Sequence, residues 1–357
     1  MANIKKITWI LTGLIAVLLI VNVYITLSMS GIAEDLASDA KEKARAGEIQ
    51  IITLADTSCT DCFDIMTAVD SVKTANVEVT SEQIIEYTDG TAQELIEKYN
   101  IEKIPTIIVT GEINKEGSEI PGLEEESDAL IFTNQDPVYF DISANEYKGR
   151  IQVKLITNSD CEDCYDMTKF IAALKDLVII SNEETIELDD AKELIEKYSL
   201  AEVPAIIISG DIELYPDTAN KLEVIGTYIE EDLILTAKLN PPYWDIAEDK
   251  ALGLVFLTYI TDDSCENCYN VNIHKTVLEN YGVFIAEEST IDISSDEGKA
   301  LKEKYNLTKV PTVIVSEDLQ YYSGIEKIWE QVGTIEEDGS YVFRELDLVS
   351  KEYTTLD

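Results

Sequence analysis

The chain has 357 residues, 45% hydrophobic and 27% charged, a globular composition with room for roughly two to four domains. Its 70 acidic residues against 27 basic ones give a formal charge of −43, which excludes nucleic acid as a partner, because neutralising phosphates requires Lys and Arg. The same charge favours solubility and repulsion from anionic surfaces. It leaves open an acidic face for basic or partly unfolded polypeptides, and equally an adaptation to salt.

Residues 1–6 carry Lys5 and Lys6, and residues 7–27, within an expected anchor at 7–28, then form an apolar run in which Asn22 is the one strongly polar side chain. That run is long enough, at about 31 Å of helix, to cross a bilayer core. Lysines before it, with none immediately after, predict a transmembrane signal anchor with a cytoplasmic N-terminus. A cleaved signal peptide is the alternative, with Ser28-Met29-Ser30-Gly31 as its small-residue site. Either way the rest of the chain lies outside the cytosol. Residues 29–48, rich in Ala and charge, read as a helical stalk.

An internal repeat organises the remainder. All six cysteines fall in C-x-x-C pairs, Cys59/Cys62, Cys161/Cys164 and Cys265/Cys268, whose first members recur after 102 and then 104 residues. An economy that leaves no cysteine over suits an oxidising compartment. An apolar stretch that reads as a buried strand enters each pair, and an aromatic (Phe63, Tyr165, Tyr269) follows it. After a second strand the copies nearly coincide: TAQELIEKYNIEKIPTIIV, AKELIEKYSLAEVPAIII and GKALKEKYNLTKVPTVIV. Each is an amphipathic helix, a short connection, a proline and a β-branched strand. Pro105, Pro204 and Pro311 stand 43, 40 and 43 residues after the second cysteine of their pairs.

Strand, C-x-x-C, helix, strand, helix, Ile/Val-Pro-Thr/Ala and strand together resemble the thioredoxin-like superfamily. The resemblance runs three times over roughly residues 49–345, with Gly122, Gly226 and Gly333 after the following hairpins. It implies an α/β fold of three tandem thioredoxin-like domains, at 49–147, 148–249 and 250–357, behind one transmembrane helix. It also implies that Pro105, Pro204 and Pro311 are the cis-prolines that hold a substrate backbone beside the attacking sulfur. The chain departs from the family in four respects. The dipeptides between the cysteines are acidic (Thr60-Asp61, Glu162-Asp163, Glu266-Asn267), and Ser58, Asp160 and Ser264 replace a Trp. Thr53, Leu155 and Tyr259 replace the buried Asp six residues before the first cysteine, which is closer to glutaredoxin-like domains. Finally, the C-terminal helix is missing. In its place residues 129–149 and 233–253 read as strand-like linkers, and the third copy, SYVFRELD, runs out.

Disulfide exchange needs an exposed thiolate and a second thiol that resolves the mixed disulfide. Cys59, Cys161 and Cys265 are therefore the expected nucleophiles, and Cys62, Cys164 and Cys268 the expected resolving thiols. At the first turn of a helix the dipole would lower the leading thiol's pKa. A carboxylate about 7 Å away would raise it by about one unit, so values of about 7–8.5 and an intermediate to low potential are expected. Each pair offers only two of the four ligands that zinc takes, so no metal is expected, and the exchange needs no cofactor. His274 reads as a surface helix residue, and the three aromatics as core. The chain is expected to act on cysteine-containing clients as a disulfide isomerase or reductase, recharged by a membrane or soluble redox partner. The alternative is a non-catalytic array of modules with structural disulfides.

Overall fold

A computed structural model describes residues 2–356, leaving aside the side chains of 2–8, 10, 11, 30–32 and 239. The side chains of Lys5, Lys6, Ser30 and Gly31 fall outside the described residues. The chain divides into two compact units, residues 1–148 and 149–357.

The first unit opens with α1 (Ala2–Ala44). One continuous helix thus covers what the sequence divides into anchor and stalk. Within it Thr12–Ala44 is long and apolar enough to cross a membrane, and its described side chains are exposed. Then follow β1 (Gly47–Ala55), α2 (Met66–Lys73), β2 (Val77–Glu86), α3 (Gly90–Lys98), β3 (Lys103–Ile104), β4 (Thr106–Gly111), β5 (Glu124–Glu126), β6 (Ala129–Ile131), β7 (Tyr139–Asp141) and β8 (Glu146–Lys148). The second unit repeats this series twice. Its first copy runs β9 (Ile151–Thr157), α4 (Thr168–Leu174), β10 (Ile180–Glu187), α5 (Lys192–Tyr198), β11 (Glu202–Val203), β12 (Ala205–Gly210), α6 (Pro216–Glu223), β13 (Thr227–Ile229), β14 (Asp232–Thr236), β15 (Tyr243–Asp245) and β16 (Lys250–Leu252). Its second copy runs β17 (Val255–Thr261), α7 (Ile273–Asn280), β18 (Ile285–Asp292), α8 (Asp296–Tyr305), β19 (Lys309–Val310), β20 (Thr312–Val315), α9 (Ile325–Trp329), β21 (Gly333–Ile335), β22 (Tyr341–Phe343) and β23 (Thr354–Thr355).

Each copy builds a five-stranded sheet of one design, β2-β1-β4-β6-β5 in the first. The entering strand runs parallel to the second strand and antiparallel to the one after the proline. A parallel pair needs a crossover, which α2, α4 and α7 supply. The sheet is covered on both faces, so the middle of its central strand is buried and apolar on both sides. In β4, Ile107 and Val109 pack with Val69 and Val72 of α2, while Ile108 packs with Ile96 and Tyr99 on the other side. That is why the T-I-I-V, A-I-I-I and T-V-I-V runs read so clearly as strands.

Two expectations need correction. The segments after the main sheet are not linkers, because β7 pairs with β3 and β15 with β11, so each hairpin belongs to its own copy. Nor does the third copy run out: β23 pairs with β19 in the same register. In addition, α6 and α9 are short helices that stand before the Gly226 and Gly333 hairpins rather than at the end of a domain. At Gly333 a Cβ would lie 2.2 Å from the Val342 carbonyl oxygen and 2.7 Å from Trp329 Nε1, so only glycine fits.

Candidate functional site

The three cysteine pairs form disulfides with Cα–Cα distances of 5.6, 5.3 and 5.6 Å. All six cysteines are half-buried. In the first copy the disulfide opens onto a cleft of about 310 Å³ lined by Asp56, Cys59, Cys62, Phe63, Ile65 and Pro105. The bonds entering Pro105, Pro204 and Pro311 are cis. The backbone locks each loop in the same way: the amide after the second cysteine donates to a hairpin or tail carbonyl, Phe63 to Val138, Tyr165 to Pro242 and Tyr269 to Glu352.

The C-x-x-C turn does not begin a helix. Its helix starts only at Met66, Thr168 or Ile273, beyond a second turn. Asp64, Asp166 and Asn270 stand in that second turn. Their side-chain oxygens accept the amides of Met66, Thr168 and Asn272 at 3.1, 3.0 and 3.0 Å, Asx turns that lead into each helix beyond the cysteines. The leading sulfur therefore loses the dipole that was to lower its pKa, while the carboxylates remain. Asp61 Oδ1 lies 3.3 Å from Cys59 Sγ.

A further polar position recurs beside each pair, outside the residues that the motif singles out. Three residues before the first cysteine stand Asp56, Asn158 and Asp262, each closing a turn onto the residue two further on. Burial pushes the Asp56 carboxyl up, but Ser58, Tyr147 and two backbone amides outweigh it and hold it below the usual range. Hydrogen bonds from Ser264 and Thr354 keep Asp262 low as well, against burial and the charge of Asp292. The signal was present in the sequence as an Asp/Asn at a fixed offset in every copy. Six residues before the first cysteine, Thr53, Leu155 and Tyr259 are all buried, and Tyr259 donates to Glu288 Oε2 at 2.7 Å.

His274 is the second correction at residue level. It is 8% exposed, packs on Phe343 at 4.4 Å, and its Nε2 lies 3.1 Å from the Tyr269 hydroxyl, which donates to the Pro311 carbonyl. Burial holds its pKa down at about 4. The aromatics after the pairs differ: Phe63 stacks on Phe132 at 5.6 Å, whereas Tyr165 is 39% exposed. As to metals, Cys59 Sγ, an Asp61 oxygen and Cys62 Sγ lie within 4.8 Å of one another. Once reduced, that trio supplies three donors, one short of a closed tetrahedral set.

No family model and no curated protein matches the chain. Among solved structures it is similar to ERdj5 form II, with 11% identity over 77% of this chain and a TM-score of 0.16. The chain spans 38% of the length of that protein. Zinc-bound human ERp44 gives 11% identity over 76% of this chain and 81% of its own, with a TM-score of 0.16. The alkylhydroperoxide reductase AhpF of Enterococcus faecalis gives 13% over 51% and 90%, with a TM-score of 0.15. Scores this low support no functional statement, and the fold rests on strand order and polarity.

Proposed function

The chain carries three tandem domains of the thioredoxin-like fold, and from that premise we propose that it is a membrane-anchored thiol–disulfide oxidoreductase acting outside the cytosol on cysteine-containing clients. The observation that carries this reading is the open cleft that brings Cys59, Cys62 and Pro105 together. A purely structural disulfide has no need of an accessible groove beside its sulfurs. The leading cysteine attacks a client disulfide, the trailing one resolves the mixed disulfide, and the proline segment offers backbone alongside. In the first copy the Asp61 carboxylate beside the leading sulfur, with no helix terminus under it, disfavours the thiolate. That favours a reducing or isomerising role over a strongly oxidising one.

The rival reading, a non-catalytic array, draws support from the buried Leu155 and Thr53 where an ionisable group would help move protons. Insulin reduction and client trapping by the full chain, with first-cysteine-to-Ser variants in each copy, separate the two. Activity lost stepwise across the variants supports exchange, whereas pairs that resist dithiothreitol and trap nothing support the array. Alkylation rate against pH gives the leading-thiol pKa, and a value near 7 would contradict the geometry above. The extracytoplasmic orientation is argued from Lys5 and Lys6 ahead of the apolar span. Degradation of the domains by protease added outside intact cells is the expected result.

A further inference from the structure

The resolving sulfur of the third copy meets a side chain that the other copies lack. Thr354 of β23 stands opposite Val310, the register position that Phe140 occupies opposite Ile104 and Trp244 opposite Val203. Thr354 Oγ1 lies 3.8 Å from Cys268 Sγ and donates its hydrogen to Asp262 Oδ2 at 2.6 Å. The tail that presents it is pinned on both sides: Glu352 accepts from the Tyr269 amide at 3.1 Å, and Leu356 donates to Thr308 at 2.8 Å. In the first copy the corresponding carboxylate, Asp56, takes the Tyr147 hydroxyl instead, and the second copy has Asn158 in that place.

A hydroxyl has one hydrogen and two lone pairs. Here the hydrogen is committed to Asp262, so the sulfur is offered a lone pair. A lone pair accepts from a thiol and repels a thiolate, and the Asp262 charge acts in the same direction. The other charged groups on the surrounding elements reinforce it: Asp263 before the pair, Glu266 within it, Asp292 at the end of β18 and Glu352 on the tail. Lys309 of β19 and Lys351 of the tail are bonded to Asp347, at 2.9 and 3.0 Å.

We propose that Thr354, oriented by Asp262, holds Cys268 as a neutral thiol in the reduced third domain and so prolongs its mixed disulfides with clients. The proposal rests on the redox reading above. In the first step the Cys265 thiolate attacks a client disulfide, forms client–S–S–Cys265 and expels the other client sulfur as a thiolate. In the second, Cys268 gives its proton to water and attacks Cys265 Sγ. The Cys265–Cys268 bond forms, and the client thiolate leaves and takes up a proton. Two electrons pass from the domain's dithiol to the client. Thr354 delays only the second step, during which the client's free thiolate can attack elsewhere in its own chain. That delay makes isomerisation possible at this site.

The test uses the full chain carrying Cys265→Ser, with the first two pairs also replaced by Ser, so that Cys268 alone is alkylated across pH. Asp262→Asn frees the hydroxyl to donate to sulfur, and alkylation at pH 7 should rise about tenfold, equivalent to a midpoint about one unit lower. Thr354→Val should shift it less, and Thr354→Ser should restore the parent profile. With Cys265 present, Asp262→Asn should shorten the mixed disulfide with a disulfide peptide by a similar factor. Superimposable profiles for the parent, Asp262→Asn and Thr354→Val overturn the proposal, as does a parent midpoint at or below about 8.5. Shifted profiles in a protein that never traps a client would uphold the thiol's environment and sink the redox reading instead.

Discussion

At the scale of single residues, the three copies differ where their cysteine loops meet the core. Six residues after the second cysteine they carry Ala68, Phe170 and His274. An imidazole in a Phe-like niche is held neutral, since burial lowers its pKa from 6.5 to about 4. A depressed histidine favours folding through its neutral form. Its contribution is complete above pH 6.5 and is lost as pH falls through about 4. The linked stability amounts to up to ~3 kcal/mol for the third domain. Denaturant midpoints should therefore fall more steeply between pH 7 and 4.5 for the parent protein than for His274→Phe, a substitution that the second copy already carries as Phe170. Parallel slopes would show that the imidazole stays uncharged or finds a partner on protonation.

At the scale of elements, the sequence was most legible where packing is two-sided and periodic. The β4, β12 and β20 runs and the helices before them are decided by burial on both faces, and one chain shows that without relatives. The cysteine loops were less legible because residue types that start a helix occur both before and after each cysteine pair. The observed amide partners of Asp64, Asp166 and Asn270 show where each helix is entered. The β7 and β15 hairpins looked like linkers because their partners, β3 and β11, are two residues long and carry no pattern of their own. The tail strand β23 carries no such signature in the sequence, because Thr354 replaces the aromatic of the other copies. One connection within the second unit makes a prediction of its own. Gly253, at φ +84°, donates to Asp318 Oδ1 at 2.9 Å and accepts from the Tyr322 hydroxyl at 2.7 Å, and a Cβ there would lie 2.4 Å from Pro241 Cβ. Gly282, at φ +80°, has open space around it. Gly253→Ala should therefore destabilise the second unit by about 2–4 kcal/mol and Gly282→Ala by about 1 kcal/mol. Equal losses in calorimetry would mean that the Pro241 contact yields easily.

At the scale of the whole molecule, the excess of carboxylates is the dominant long-range property. Many of the cations are engaged in surface pairs, such as Lys73 with Glu82 at 2.8 Å and Lys304 with Asp338 at 2.7 Å. Such pairs add little stability, but they leave the unpaired charge facing solvent predominantly negative. With a net charge of −43, the field reaches an approaching client well before any sulfur does. It screens over about 8 Å at physiological ionic strength and over about 3 Å at 1 M salt. For a Lys-rich disulfide peptide, the second-order rate of reduction should exceed that of its Glu-rich counterpart by about tenfold or more at low salt. The gap should close towards unity near 1 M salt, because steering acts on encounter and not on the exchange step. The single-turnover rate at saturating peptide should stay flat over the same range. A preference for the basic peptide that survived high salt would point to a specific acidic pocket. No preference at low salt would make the charge a matter of solubility alone.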